Sequence, residues 1–248
     1  MKVLAIISAR GGSKGVPRKN MKMLGGHPLV THMIRAAQQA KLVDRLIVST
    51  DDEEIADCAR SEGADVPFMR NHELGGDRIP LVEVTKDGME QMDDLGYRAD
   101  VIVQLSPTCP FVGPSRIDES IEMVRGGADS AVSVKRIEHE HPYRAKVIED
   151  DGYFRSFVTD VDVEMKYQSR QDLPELYCTC GAIYTRRREL LKHWRGDFAF
   201  GDRPFPVILN EIEAINIDTP LDFILADFIL KEQNRLEDEG MIPRLVWP

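Results

Sequence analysis

From the first residues to the last, apolar runs of strand length alternate with amphipathic helical segments, and few architectures accept that order. Val3–Ala9 reads as a buried strand, and Leu29, Val30, Met33, Ile34 and Ala37 then recur at helical spacing. Leu46–Thr50 follows as a strand, and Asp51–Arg60 as a helix that opens with acidic residues, as a helix N-terminus prefers. Asp65–Met69 reads as a short third strand, Pro80–Leu95 as a helix, Val101–Leu105 as a strand, Ser115–Val124 as a helix and Ser130–Val134 as a strand. The order predicts an α/β protein with a Rossmann-like, doubly wound, mostly parallel sheet covered on both faces. Ligands of such sheets lie in the crevice beyond the strand C-termini.

The alternation breaks after Val134. Lys146–Glu149, Asp150-Asp151-Gly152 and Tyr153–Val158 have the pattern of a hairpin, inside an insertion at about 135–175. Strands resume at Ala182–Thr185 and Pro206–Leu209, and a final helix is predicted from Pro220 to Leu236. There is no internal repeat, low-complexity run or linker, so the 248 residues are read as one domain carrying that insertion.

Charge narrows the ligand class. The net charge is −10, which opposes general nucleic-acid binding. Residues 1–43 nevertheless hold eight Lys and Arg and no acid, whereas the remaining 205 residues hold 24 basic against 42 acidic. A positive island in an acidic chain draws a small polyanion. The four cysteines (58, 109, 178 and 180) form no Cys-x-x-Cys pair and no zinc-like spacing, as expected of reduced thiols in the cytoplasm. No stretch reaches membrane-spanning length.

Ala9-Arg10-Gly11-Gly12-Ser13-Lys14-Gly15-Val16-Pro17-Arg18-Lys19-Asn20 follows the first strand directly. Its glycines allow backbone N–H groups to approach an anion, and its four cations neutralise phosphate charge. The spacing is neither G-x-G-x-x-G nor G-x-x-x-x-G-K-[ST], which opposes a dinucleotide-binding oxidoreductase and a Walker ATPase alike.

This string resembles the phosphate-binding signature of the acylneuraminate (CMP-sialic acid) cytidylyltransferases, Ala-Arg-x-x-Ser-Lys-Gly-x-Pro-x-Lys-Asn, at every fixed position. Val48-Ser49-Thr50-Asp51 is similar to the end of the family's second strand. Arg70 with Glu73-Leu74-Gly75-Gly76-Asp77 resembles its segment near the nucleotide base, and Pro107-Thr108-Cys109-Pro110 its Pro-Thr-Ser-Pro turn. Gly181-Ala182-Ile183-Tyr184 and Ile217-Asp218-Thr219-Pro220-Leu221-Asp222 resemble its late strand and its Ile-Asp-Thr-x-x-Asp ending.

The resemblance implies a nucleotide-diphospho-sugar transferase-like fold and a Mg²⁺-dependent transfer of CMP from CTP to the anomeric hydroxyl of a nonulosonate-type 2-keto sugar acid. It implies that Arg10, Gly11, Gly12, Ser13 and Lys14 hold the triphosphate, that Lys19 and Asn20 close the loop, and that Arg70 and Asp77 lie by the cytosine. Catalysis would rest on Arg10, Lys14 and Asp218, with the metal on Asp218 and Asn216. Gln104, Arg144 and Arg170 would meet nucleotide or sugar, the last two from the insertion and, in similar proteins, often across a homodimer interface.

Asp218 has a second reading, as a helper in capping the final helix, for which Thr219, Pro220 and Asp222 supply N-cap, first-turn proline and capping box. The chain also departs from the family. Ser106 stands where the family has Gln, with Gln104 two residues earlier on the same strand face. Val112 replaces an Arg, Cys180 an Asn, and Asn216 an Asp. Cys178 and Cys180 read as pocket or core thiols. Asp160-Val161-Asp162 has the spacing of a glycosyltransferase metal site, which leaves open a glycosyltransferase; the departures leave open a nucleotide sensor without catalysis.

Overall fold

The computed structural model describes residues 1–13, 15–76, 78–159, 166–167 and 169–242. Its centre is a six-stranded sheet built from β1 (Val3–Ser8), β4 (Arg45–Ser49), β5 (Val101–Leu105), β6 (Ser130–Arg136), β9 (Tyr177–Arg187) and β10 (Pro204–Leu209), in the order β10-β6-β9-β5-β1-β4. Strand β1 is parallel to β4 and β5, and β10 to β6, whereas β9 runs antiparallel to both β5 and β6. The sheet is therefore mostly parallel, with one reversed strand in its interior.

Strand β1 shows why both faces are covered. Successive side chains of a strand point to opposite faces. Val3, Ala5 and Ile7 pack with α1 (Leu29–Gln39), α2 (Glu53–Ser61) and α4 (Pro114–Arg125). Leu4 and Ile6 pack on the other face with Val82, Met89 and Met92 of α3 (Leu81–Asp94) and with Leu191 of α5 (Arg188–Lys192). At the far edge, among the described residues, β10 pairs with β6 alone, an edge position that tolerates Pro204 and Pro206.

A third cluster positions the site. Val16, from the glycine-rich loop, is buried with Leu24, Leu29, Phe111, Ile217 and with Phe223, Ala226 and Ile229 of the last helix, α6 (Pro220–Asp238). Helix α6 begins as its sequence predicts. Thr219 Oγ1 accepts from Asp222 N at 3.3 Å, and Asp222 Oδ2 accepts from Thr219 N at 2.7 Å, the reciprocal pair of a capping box.

Two expectations change. Asp65–Met69 is no strand; only Asp65 bridges Ile47, and Pro67 withdraws a donor from the rest. Residues 182–185 are the middle of a longer strand whose register against β6 shifts between Val132 and Val134. Gly181, at φ 79°, supplies the bulge, and the buried Ser133 Oγ accepts from Ala182 N and Ile183 N at 3.2 and 2.9 Å.

The insertion holds a two-stranded hairpin, β7 (Lys146–Ile148) against β8 (Phe154–Ser156). It exposes Ile148, Tyr153, Phe154 and Phe157. Short strands β2 (Met23–Leu24) and β3 (His27–Pro28) form a second hairpin between the loop and α1, which periodicity does not reveal.

Candidate active site

A cavity of about 740 Å³ opens at the C-terminal ends of β1 and β5. One end is walled by Arg10, Ser13, Gly15, Lys19 and Asn20 of the loop and by Arg70. The other end is walled by Gln104, Tyr184, Arg186 and Phe198. Asn216 and Asp218 line it between strand and final helix, and also line an adjoining depression of about 540 Å³. Lys14, Asp77, Asp160 and Asp162 lie outside the described residues.

Two carboxylates behind the loop shape it. Asp51 Oδ1 accepts from Gly11 N at 3.0 Å and from Arg70 Nη2 at 3.4 Å. Asp52 caps α2, accepting from Glu54 N and Ile55 N at 3.0 and 3.1 Å, and accepts from Arg18 Nη1 at 3.0 Å. Burial alone would raise the Asp52 carboxyl, but the Arg18 contact and the N-cap N–H groups outweigh it and hold it below the usual range. Asp51 and Asp52, just ahead of α2, thus also hold the loop, and Arg18 reaches Asp52 and Glu54 from a left-handed backbone at φ 50°.

Packing gives two of the loop glycines a task of their own. A Cβ on Gly11 would lie 2.5 Å from Asp52 Oδ2, and one on Gly15 would lie 2.1 Å from the Asp218 backbone oxygen. The Gly11 N–H is already given to Asp51. Glycines 11 and 15 are required by close packing within the protein, and only Gly12 faces open space.

Arg70 is 4% exposed, and its Nε is buried without a partner among the described residues. Burial lowers its pKa, with Asp51 opposing the shift. Asn20 Nδ2 donates to Arg10 O at 2.9 Å, while its Oδ1 is buried and unpartnered among the described residues. Arg10 Nη1 donates to Gly75 O at 3.2 Å.

Asp218 does not cap the helix with its carboxylate. Oδ1 accepts from Lys19 Nζ at 3.0 Å and Oδ2 from Asn216 Nδ2 at 2.7 Å. Lys19 Nζ also donates to Ile217 O. Because the Asn216 nitrogen must face the carboxylate, its oxygen turns away, to 3.8 Å from Cys109 Sγ. Burial first, then neighbouring Cys180, pushes the Cys109 thiol up to about 12, so it is an inert thiol.

Gln104 and Ser106 both line the cavity, as strand alternation predicts. Ser106 Oγ lies 2.8 Å from Thr108 Oγ1. Val112 is packed in the core, where no charge is offered to a ligand. Arg144 and Arg170 do not line this chain's cavity, and Arg170 Nη2 pairs with Glu138 at 2.7 Å. Arg186 was missed by sequence reasoning. It sits in the run Arg186-Arg187-Arg188, just past the strand expected at 182–185, yet it is 2% exposed.

A family model described as cytidylyltransferase matches residues 4–235. The chain is 33% identical over 237 residues to the CMP-N,N'-diacetyllegionaminic acid synthase of Legionella pneumophila, covering 93% of this chain and 97% of that protein. It is 32% identical to the N-acylneuraminate cytidylyltransferase A of Danio rerio, covering 91% of this chain and 50% of that one. Among solved structures, CMP:2-keto-3-deoxy-manno-octonic acid synthetase complexed with CTP superposes with a TM-score of 0.69 at 19% identity, covering 94% of this chain and all of that one. The last likeness speaks for the fold alone. The matched model reaches from β1 into α6, and on it and the sequence relatives the chain belongs to the cytidylyltransferase family, whose acylneuraminate members its loop resembles.

Proposed function

We propose that the protein transfers CMP from CTP to the anomeric hydroxyl of a nonulosonate-type 2-keto sugar acid, with release of pyrophosphate. The observation that carries this reading is the single continuous cavity, with the basic loop and Arg70 at one end and a polar, aromatic chamber on β5 and β9 at the other. It has room for a nucleotide and an acidic acceptor side by side. The relatives' names supply the acceptor class.

On this reading Arg10, Ser13 and Lys14 hold the triphosphate, and Gly12 is where backbone approaches it. Asn20 holds the loop through the Arg10 carbonyl. Arg70 and Asp77 lie by the base. In-line attack at the α-phosphorus gains from positioning and from positive charge facing the equatorial oxygens and the departing pyrophosphate.

Mg²⁺ fits the residues in a limited way. Among the described residues no group of three or more His, Cys, Asp or Glu is arranged to hold a metal. Asp218 offers one carboxylate, 64% exposed at its side chain, and Asn216 turns its amide oxygen away from it. Such a site suits an ion that keeps water and substrate phosphate as most of its ligands. Asp218 would anchor it once Lys19 turns from the carboxylate to phosphate, and the ion would neutralise charge on the transferring phosphate.

The assembly we propose is a homodimer in which the 135–175 insertion brings Arg144 and Arg170 to the partner's acceptor site. The exposed Ile148, Tyr153, Phe154 and Phe157 of its hairpin support this. The free cysteines and the use of CTP support a cytoplasmic location. Among the described residues, no helix is long and apolar enough to cross a membrane.

The test is pyrophosphate release with CTP, ATP, GTP and UTP against N-acetylneuraminic, N,N'-diacetyllegionaminic and 2-keto-3-deoxy-manno-octonic acids. Turnover with CTP and at least one acid is expected. Equal or faster turnover with GTP or UTP defeats the base assignment, and no turnover with any acid defeats the reaction.

A further inference from the structure

Arg186 is a buried cation in the wall of the cavity, and among the described residues it forms no ion pair. Three hydrogen bonds account for it instead. Nη1 donates to Gln104 Oε1 at 3.0 Å, Nε to Ala199 O at 3.1 Å and Nη2 to Phe198 O at 3.2 Å. Its guanidinium carbon also lies 4.9 Å from the centre of the Tyr184 ring. The segment it grips is strained, since Ala199 holds a left-handed backbone at φ 52°, which a residue with a Cβ adopts at a cost.

The grip settles the orientation of Gln104. Arginine has donors only, so the Gln104 atom facing it must be the amide oxygen. The same oxygen accepts from Thr85 Oγ1 at 2.9 Å. Gln104 is 1% exposed, lines the cavity, and makes no hydrogen bond through its NH2 among the described residues. Two donors thus hold its oxygen inward, and the NH2 is the group it has left for a ligand. The basic loop and Arg70 occupy the β1–β4 side of the cavity, whereas Gln104 and Arg186 lie on β5 and β9.

We propose that Gln104 presents its NH2 to an acceptor oxygen of the acidic sugar, and that Arg186 is the positioning residue that turns the amide that way and holds residues 198–199 beside it. This rests on the proposed activity and names its acceptor-side recognition element. Burial lowers the Arg186 pKa to about 10, so the cation is held there against desolvation, as a residue set for alignment requires.

Gln104→Glu separates function from structure. It keeps an oxygen for Arg186 and Thr85 but replaces the NH2 donor by an anionic oxygen. Measured together are the melting temperature, CTP affinity by calorimetry without acceptor, and KM for whichever acid of the panel the parent uses best. Gln104→Glu is expected to keep the parental melting temperature or exceed it, keep CTP affinity within about twofold, and raise acceptor KM by at least about tenfold, as loss of one hydrogen bond to a charged group does. Arg186→Met should raise acceptor KM similarly, Arg186→Lys less, and Arg186→Met combined with Gln104→Glu no more than the larger single change, because both act through one contact. Parental acceptor KM in Gln104→Glu with CTP affinity intact overturns the proposal, as do losses that multiply in the double variant. A parent that binds no CTP overturns the activity reading itself.

Discussion

Replacing Gly15 with alanine tests whether the loop and the turn before α6 form one fitted unit. The added Cβ would stand 2.1 Å from the Asp218 backbone oxygen and 3.3 Å from its carbon, where real contacts stay above 3.0 Å. Backbone cannot rotate away as a long side chain does. The turn is pinned on both sides, with Ile217 N bonded to Thr108 O at 2.8 Å and Asp218 N bonded to Asp222 Oδ2 at 3.0 Å. The loop must therefore yield, by about 1 Å, the deficit between 2.1 Å and an unstrained contact. Lys19, four residues on, would move with it and loosen its contacts with Ile217 and Asp218.

Overpacking of this kind costs about 1–3 kcal/mol. For a chain of 248 residues that is about 2–4 °C in melting temperature for each kcal/mol. A displacement of about 1 Å in a positioning element costs about 10²-fold in rate. Gly12→Ala is the control. Its Cβ meets nothing within 4 Å, and its φ lies outside the left-handed region, so stability should change by less than about 0.5 kcal/mol. Any loss there should appear as a raised KM for CTP. The assays are thermal melting and pyrophosphate release at saturating CTP. A Gly15→Ala protein with parental melting temperature and velocity would refute the fitted-unit argument.

Lys14→Ala is expected to lower kcat by about 10²–10³ with the fold intact, as loss of one electrostatic donor does; near-parental kinetics would remove Lys14 from the triphosphate site. Asp218→Asn should abolish most activity, and Asn216→Asp should lower the Mg²⁺ concentration for half-maximal velocity; parental velocity of Asp218→Asn across a Mg²⁺ titration would assign the carboxylate to Lys19 alone. His32, buried with Nε2 2.9 Å from Leu24 O, has its pKa lowered by burial from the ordinary 6.5. The unfolded chain therefore binds a proton that the folded chain refuses, and stability falls as pH drops from about 6.5 toward the lowered value. Urea midpoints across that window should fall more steeply for the parent than for His32→Gln, and equal slopes would show that His32 does not couple to folding.

What could be read from the sequence follows from what periodicity encodes. Val101–Leu105 was located to the residue because a β-rich run, apolar but for Gln104 and bounded by Asp100 and Ser106, has one reading in a covered sheet. The direction of β9 was not legible, since alternation carries no direction, although Gly181 within a strand is a bulge signal. The loop was found because its cations and glycines are contiguous. Asp51 and Asp52 were legible only as helix-opening acids. Their second task, holding Gly11, Arg18 and Arg70, joins residues 19–40 positions apart, and no local pattern records it. Arg186 was hidden by its arginine neighbours, although alternation from Tyr184 places it on the cavity face.

The positive island of residues 1–43 also means something different once folded. Arg18 is paired with Asp52 and Glu54, Arg35 with Glu62, and Lys19 with Asp218, while Lys2 and Lys22 lie over the rings of Tyr97 and Phe223. The charge at the cleft is assembled by topology, which brings Arg70 after β4 and Arg186 on β9 to the same cavity as Arg10 and Lys19 of that island. Arg70 and Arg186 carry that charge against a desolvation that lowers both their pKa values. A cation held so is destabilised relative to water, and an anion brought beside it recovers part of that loss. An acidic chain with net charge −10 can therefore take up polyanions, because attraction depends on the few cations the sheet gathers at one edge and not on the sum.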